Sequence, residues 1–476
     1  MIVETAAGRV RGRTDDLDGV RSDDPDGVRS DDRVGDRSGG PVTAFRGIPY
    51  ARAERFAPPG PVKPWPGVRE ADAPGPAAPQ LPSRLERAMG PFTAPQSEDC
   101  LSLNVWAPPG TGHAVLVFLH GGGFSSGAAG LGWYDGAELA AQGGIVVVTA
   151  GYRLGALGYL RLPGVSEGNL GLLDQLAALH WVRENIAAFG GDPGKVTVAG
   201  QSAGAYSILA LLSGTRARGL FRRAILQSTP AGMLPDTPEK AEATGELLLR
   251  ELGLTPDRSA QLLRAPVGDL LAAQAAVARR TARPLSAVPP FQLVTDGALV
   301  AADPVRAAGE GAANGVQVLL GTTRDEAAAF FAADERVAAL GQDDLDRVAH
   351  QWFGDTGRAA PRGRTTTEVV VQMATDQMFR DPAARLVRLL TERGAPPWRY
   401  RFDWSPPGSP YGACHCIELP FVLGDAAAWR DAPMLAGGPP PGRLVAEVRR
   451  SWAGFVRDGT PGWPAGTGHH FTGRTD

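Results

Sequence analysis

Apolar residues along the chain gather in short, nearly unbroken runs, separated by longer stretches in which they recur every three or four positions. The runs at 114–119 (AVLVFL), 145–149 (IVVVT), 195–199 (KVTVA), 223–227 (RAILQ), 316–320 (VQVLL) and 398–402 (WRYRF) predict strands. Most lack the polar alternation of a half-exposed sheet, so they are expected to be buried on both faces of a largely parallel one. Helical spacing is clearest over 170–188, where Leu172, Leu173, Leu176, Leu179, Trp181, Val182 and Ile186 form one apolar stripe. Strand and helix therefore alternate in the α/β manner.

Two blocks, 236–312 and 327–391, turn Ala/Leu/Arg-rich and helical without strong strands. They are expected to lie over the C-terminal edge of the sheet, where open α/β sheets bind ligands. A further helix is predicted over 443–457, followed by a Gly/Pro/Thr-rich tail that is expected to be loosely held. Near the N-terminus, DDLDGVRS and DDPDGVRS repeat with a period of eight within residues 15–38. So short a period, dominated by Asp, Gly and Arg, has no apolar face to bury, and a solvated, flexible insertion is expected. Its Asp-x-Asp-Gly lacks the closing Glu of a calcium loop, so no metal is placed there.

With 43% hydrophobic and 21% charged residues, the 476-residue chain can bury a large core. One α/β domain spanning 1–476 is expected, interrupted only by the 15–38 insertion. The net charge of −3, from 48 basic and 51 acidic side chains, supplies no basic field for a phosphate backbone, so nucleic acid is not expected as a partner. Residues 1–13 contain no apolar signal-peptide core, and no run approaches the length of a membrane span. Only Cys100, Cys414 and Cys416 are present, and the last two are too close for an ordinary disulfide. Together these point to a cytoplasmic location with neither membrane partner nor disulfide framework.

The strongest chemical signal is Gly200-Gln201-Ser202-Ala203-Gly204, which directly follows KVTVA and precedes the apolar helical run 206–212. A sharp strand-to-helix turn of this kind presents a serine as nucleophile, with small residues around it and a helix N-terminus behind it. A second glycine run, His120-Gly121-Gly122-Gly123-Phe124, follows the strand AVLVFL. The backbone N–H groups of Gly122, Gly123 and Ala203 are the expected oxyanion donors.

A serine hydroxyl needs a base. Of the histidines at 113, 120, 180, 350, 415, 469 and 470, the last four satisfy the chain order serine, acid, histidine. His350 lies in a helical pattern, and His469 and His470 in the weakly patterned tail. His415 sits in a loop about a dozen residues beyond the strand WRYRF and is the candidate base. For the acid, Gly321-Thr322-Thr323-Arg324-Asp325-Glu326 follows the strand VQVLL and leaves Asp325 and Glu326 equally placed to fix the imidazole tautomer.

At this point the sequence resembles the type-B carboxylesterases, the cholinesterase-like branch of the α/β hydrolases, from Phe45 to about Pro464. The stretches that carry the likeness are FRGIPYA from Phe45, SEDCLSLNVW from Ser97, HGGGF, YRLGALGY from Tyr152, the 26-residue run from Gly168, GQSAG, TTRDE and the His415 loop with ELPFVLG. The resemblance implies an α/β-hydrolase fold: a large, mostly parallel central sheet flanked by helices, with helical insertions over its C-terminal edge. It implies Glu326 as the acid and assigns Arg46, Glu98 and Arg153 to structural ion pairs. Cys100 matches a cysteine often disulfide-bonded in the family, but no partner precedes it. Gln201 stands where many relatives carry Glu, which removes one nearby negative charge and counts against a preference for cationic substrates. Gly151 replaces a usual Asn.

The resulting expectation is a serine hydrolase acting on a small-molecule carboxylic ester of short to medium acyl chain or aromatic character, through an acyl-enzyme and without a cofactor. Amide, carbamate or polyester-oligomer hydrolysis by the same machinery, or a non-catalytic binding role on the same fold, are the alternatives. Acyl preference and oligomeric state are not legible.

Overall fold

The computed structural model describes residues 1–15, 40–354 and 360–473. The repeats of 15–38 therefore fall, but for Asp15, outside the described residues. The described strands Arg13–Asp15 and Val42–Pro49 pair antiparallel, with Arg13 opposite Ala44 and Asp15 opposite Val42.

A ten-stranded sheet runs through the molecule. In chain order its strands are β1 (Arg13–Asp15), β2 (Val42–Pro49), β3 (Ser102–Ala107), β4 (His113–Leu119), β5 (Val146–Ala150), β6 (Gly191–Gln201), β7 (Arg223–Gln227), β8 (Gln317–Thr323), β9 (Trp398–Phe402) and β10 (Gly468–Phe471). They lie side by side as β10-β9-β8-β7-β6-β4-β5-β3-β2-β1. From β5 to β10 neighbouring strands are parallel, whereas β1, β2 and β3 form an antiparallel edge. All six predicted strands are present, within a few residues of their expected bounds.

Both faces of the sheet are covered, which explains why the central strands carry no polar alternation. In β4, Val115, Val117 and Leu119 enter one apolar core, while Ala114, Leu116 and Phe118 enter the other. The first core receives α1 (Leu170–Asn185) and α2 (Ala203–Ser213). The excursion helices α3 (Pro238–Glu251) and α4 (Val267–Thr281) close over it. A satellite core forms beneath α5 (Gln342–Phe353) and α6 (Thr366–Thr375), built on Phe331, Leu345, Val370 and Met373. The final helix, α7 (Gly442–Asp458), covers the second core with Leu444, Val448, Trp452 and Phe455.

The tail differs from its expected looseness. Residues 468–471 form β10 and pair with β9 in register from Arg399–Gly468 to Phe402–Phe471. Phe471 is fully buried, and Trp398 Nε1 donates to Trp463 O at 2.9 Å. One buried aromatic and a backbone ladder outweigh the Gly/Pro content that signalled disorder. Among the described residues no helix is long and apolar enough to cross a membrane.

The ion pairs assigned to Arg46, Glu98 and Arg153 are formed with Asp135, Arg55 and Asp174. The last is the most buried: Arg153 Nε and Nη2 donate to Asp174 at 2.8 and 2.7 Å, and the Arg153 backbone N–H donates to the same carboxylate at 3.1 Å. Asp174→Ala would strand a buried guanidinium and cost about 3–5 kcal/mol. A marked fall in the thermal midpoint is expected, and an unchanged midpoint would contradict this account of the pair.

Candidate active site

The turn from β6 into α2 places Ser202 at φ 57°, ψ −121°, a left-handed conformation that a serine adopts only when the surroundings impose it. Ser202 N–H donates to Gln227 O of β7 at 2.9 Å, and its carbonyl accepts from Tyr206 N–H at 2.9 Å. These bonds lock the residue between strand and helix. Gly204 is the condition for the turn, because a Cβ there would collide with the carbonyl oxygens of Leu119 and His120.

Beyond β4 the chain enters the glycine run. Gly122 has φ +112°, and a Cβ on it would strike the Ser126 carbonyl. Its own carbonyl accepts from Ser125 and Ser126 N–H, both at 3.1 Å, which folds the loop back on itself. Among the described hydrogen bonds, the N–H groups of Gly122 and Gly123 reach no protein acceptor. Ala203, the first residue of α2, likewise has no intrahelical acceptor for its N–H. All three residues line one cavity together with Ser202.

His120 underpins this loop. Its ring stacks on Tyr152 at 4.3 Å, and Tyr152 Oη donates to the His120 carbonyl at 2.7 Å. Burial pushes its pKa down to about 4, so the ring is neutral near pH 7, with Nδ1 2.7 Å from Gly121 O.

Glu326 and His415 meet in the interior, both fully buried, with Glu326 Oε2 2.6 Å from His415 Nδ1. The other carboxylate oxygen accepts from Thr323 N–H at 2.8 Å, and His415 N–H donates to Glu326 O at 3.1 Å. Asp325 faces elsewhere: its Oδ2 accepts from Ala413 N–H at 3.0 Å and pairs with Arg324, which fastens the histidine loop without touching the ring. A carboxylate on Nδ1 requires a proton there, leaving Nε2 of the neutral imidazole as an acceptor. Nε2 lies 3.2 Å from the side-chain amide nitrogen of Gln201. Among the described hydrogen bonds none joins Nε2 to Ser202 Oγ, and the amide beside the serine occupies that position. Phe379 and Phe330 pack on the imidazole at 5.0 and 5.5 Å, and both also line the cavity that holds Ser202.

The other candidate histidines stand apart. His350 lies in α5, His469 contacts Glu447 at 2.8 Å, and His470 contacts Asp403 at 2.8 Å. Cys100, Cys414 and Cys416 are free and buried. Among the described residues no group of three or more His, Cys, Asp or Glu side chains could hold a metal ion.

Three neighbours of this site carry no sequence signal. Phe330 and Phe379 come from the helical excursions, and Arg84 reaches the cavity from the segment before β3. Glu418, three residues beyond the imidazole, is fully buried and 3.4 Å from Ser228 Oγ. Desolvation, and secondarily the charge of Glu326, push its pKa up to about 8, so it is predominantly a neutral acid at pH 7.

The sequence profile of the carboxylesterase family matches residues 27–470. A protein of Rhodococcus erythropolis named as a probable N-octanoylanthranilate hydrolase is 44% identical over 444 residues, covering 89% of this chain and 92% of that one. The para-nitrobenzyl esterase of Bacillus subtilis (strain 168) is 39% identical over 442 residues, 89% of each chain. Among solved structures, a PNB esterase superposes with a TM-score of 0.83 at 36% identity, over 98% of this chain and 93% of that one.

The neutral Glu418 has a measurable consequence. An unfolded glutamate titrates near ~4.3, so from there to about 8 the folded protein holds a proton that the unfolded chain has released. Folding stability from this group therefore falls as pH rises through that window. Glu418→Gln removes the effect, and the difference in melting midpoint, variant minus parent, is expected to grow from pH 5 to pH 9. A pH-independent difference would contradict a buried neutral acid.

Proposed function

The chain belongs to the carboxylesterase family and is a carboxylic-ester hydrolase of α/β-hydrolase fold, and from that premise we propose that Ser202, His415 and Glu326 are its catalytic triad. The observation that carries this reading is the placement of Ser202, strained at a strand-to-helix turn, in one cavity with the free N–H groups of Gly122, Gly123 and Ala203. Amides fixed by the fold stabilise a developing oxyanion without reorganising at the moment of reaction.

In this reading, rotation of the Ser202 side chain lets its hydroxyl displace the Gln201 amide as donor to Nε2. Ser202 Oγ attacks the ester carbonyl while His415 takes its proton. The imidazolium is stabilised by Glu326 and returns the proton to the departing alcohol. A water activated by the same imidazole then releases the acid from the acyl-enzyme. The buried Glu326 oxygen 2.6 Å from Nδ1 supports the tautomer this sequence needs. Neutral Glu418 leaves Glu326 as the charge paired with the imidazolium. No step calls for a cofactor.

The substrate is proposed to be a small-molecule ester with a short to medium acyl chain or aromatic part. The mainly apolar cavity walls support this, among them Leu85, Met233, Phe330 and Phe379. A second reading, hydrolysis of an N-acyl bond, is favoured by the name of the Rhodococcus relative. It uses the same residues, with His415 protonating a departing nitrogen. A cytoplasmic location is proposed on the three free, buried cysteines.

Ser202→Ala is expected to lower kcat for p-nitrophenyl butyrate by roughly 10⁴-fold or more, while the protein stays folded. Turnover at the parent rate by the purified variant would overturn the assignment.

A further inference from the structure

Arg84 is the one charged residue among those lining the cavity that holds Ser202. Its guanidinium stands against the glycine loop, so that a Cβ built on Gly123 would be 3.1 Å from Nη2. Nη2 donates to Ala287 O at 2.8 Å. Among the described residues no carboxylate pairs with this cation, and its remaining N–H donors meet no protein acceptor. An arginine carries five donors in a planar fork. Apart from Ser83, Ser202 and the backbone amides, the cavity is lined mainly by apolar side chains, among them Leu85, Met233, Met378 and two phenylalanines, so this guanidinium is its one charged group.

The segment that carries Arg84 is held in place on both sides. On one side of Arg84 the segment is tied to the glycine loop by Gln80, whose buried amide donates to Gly127 O at 2.9 Å and accepts from Gly127 N–H at 2.7 Å. On the other side Leu85 is buried, and the Arg87 carbonyl accepts from Tyr411 Oη at 2.6 Å. The residue as a whole remains exposed, but crowding around its guanidinium desolvates it enough to lower its pKa from the usual arginine value. It remains a cation at any pH where the enzyme works. An unpaired, partly desolvated guanidinium beside the amides proposed to hold an oxyanion invites a second anionic group on the substrate.

We propose that Arg84 is a specificity residue that binds a carboxylate carried by the substrate, so that the preferred esters join an apolar body to an anionic group. This rests on the triad reading above, because the cavity is the substrate's only if Ser202 is the nucleophile. The fork geometry suits a planar carboxylate, and the apolar walls hold the remainder of the molecule. The carboxylate takes no part in bond making or breaking; it orients the ester carbonyl toward the glycine loop.

The test compares matched substrates that differ by one carboxylate, on the acyl side (mono-p-nitrophenyl adipate against p-nitrophenyl hexanoate) and on the leaving-group side (3-acetoxybenzoate against phenyl acetate). In at least one pair, Arg84→Gln should lower the ratio of kcat/KM, anionic over neutral, by about ten- to a hundredfold, chiefly through KM for the anionic member. Arg84→Lys, which keeps charge but not the fork, should fall between. An unchanged ratio in both pairs overturns the proposal, and so does an equal fall in both members, which would place Arg84 in oxyanion stabilisation. The unaltered enzyme supplies a measurement that no folding defect can blur. Octanoate should inhibit competitively at lower concentration than octanamide, with the gap narrowing at high salt. Equal inhibition overturns the proposal. A parent enzyme that hydrolyses none of the four esters would instead strike the triad reading itself.

Discussion

The close approach of α2 to the end of β4 is the constraint on which the rest of the site depends. Gly204 has no side chain because the Leu119 and His120 carbonyls fill the space where one would stand. That approach turns the chain within a single residue and leaves Ser202 with positive φ. It also brings the first amide of α2 beside those of the glycine loop. A bulkier residue at 204 would push helix and loop apart, moving both the hydroxyl and the amides that line its cavity. The cost of the strained serine, of order 1–3 kcal/mol, is small beside the burial achieved by the two cores on either side of the sheet.

Around that turn the electrostatics are kept sparse. His120 is held neutral by burial, Glu418 is largely protonated, and position 201 carries an uncharged amide. The ion pair of Arg153 and Asp174 is internally compensated, and the adjacent Tyr152 supports the His120 carbonyl. What remains is one carboxylate on the imidazole and one unpaired guanidinium at the cavity wall. Full burial strengthens the interaction of the Glu326 carboxylate with the imidazole, while Arg84 acts from the more exposed wall. A site with few charges can therefore assign each of them a distinct task.

Much of the fold was legible because buried parallel strands and amphipathic helices leave strong patterns. Runs such as RAILQ and WRYRF coincide with β7 and β9. The strand β10 was not legible, since two histidines and a glycine surround its single buried Phe471. At the site, GQSAG and HGGGF could be read locally because their glycines answer to backbone geometry within a few residues. Asp325 and Glu326 could not be separated by chemistry: adjacent carboxylates at one strand end differ only in direction, which the His415 loop decides. Phe330, Phe379 and Arg84 reach the cavity from three segments far apart in sequence, so no local spacing could announce them.

The proposed reaction requires Ser202, the glycine amides and the Glu326–His415 pair to meet at one substrate carbonyl. A crystal structure of the enzyme after treatment with an alkyl fluorophosphonate tests that meeting directly. Phosphorus is expected on Ser202 Oγ, with a phosphonyl oxygen within hydrogen-bond distance of the N–H groups of Gly122, Gly123 and Ala203, and His415 Nε2 turned toward the adduct. Phosphorus on another residue, or an oxygen pointing away from those amides, would contradict it.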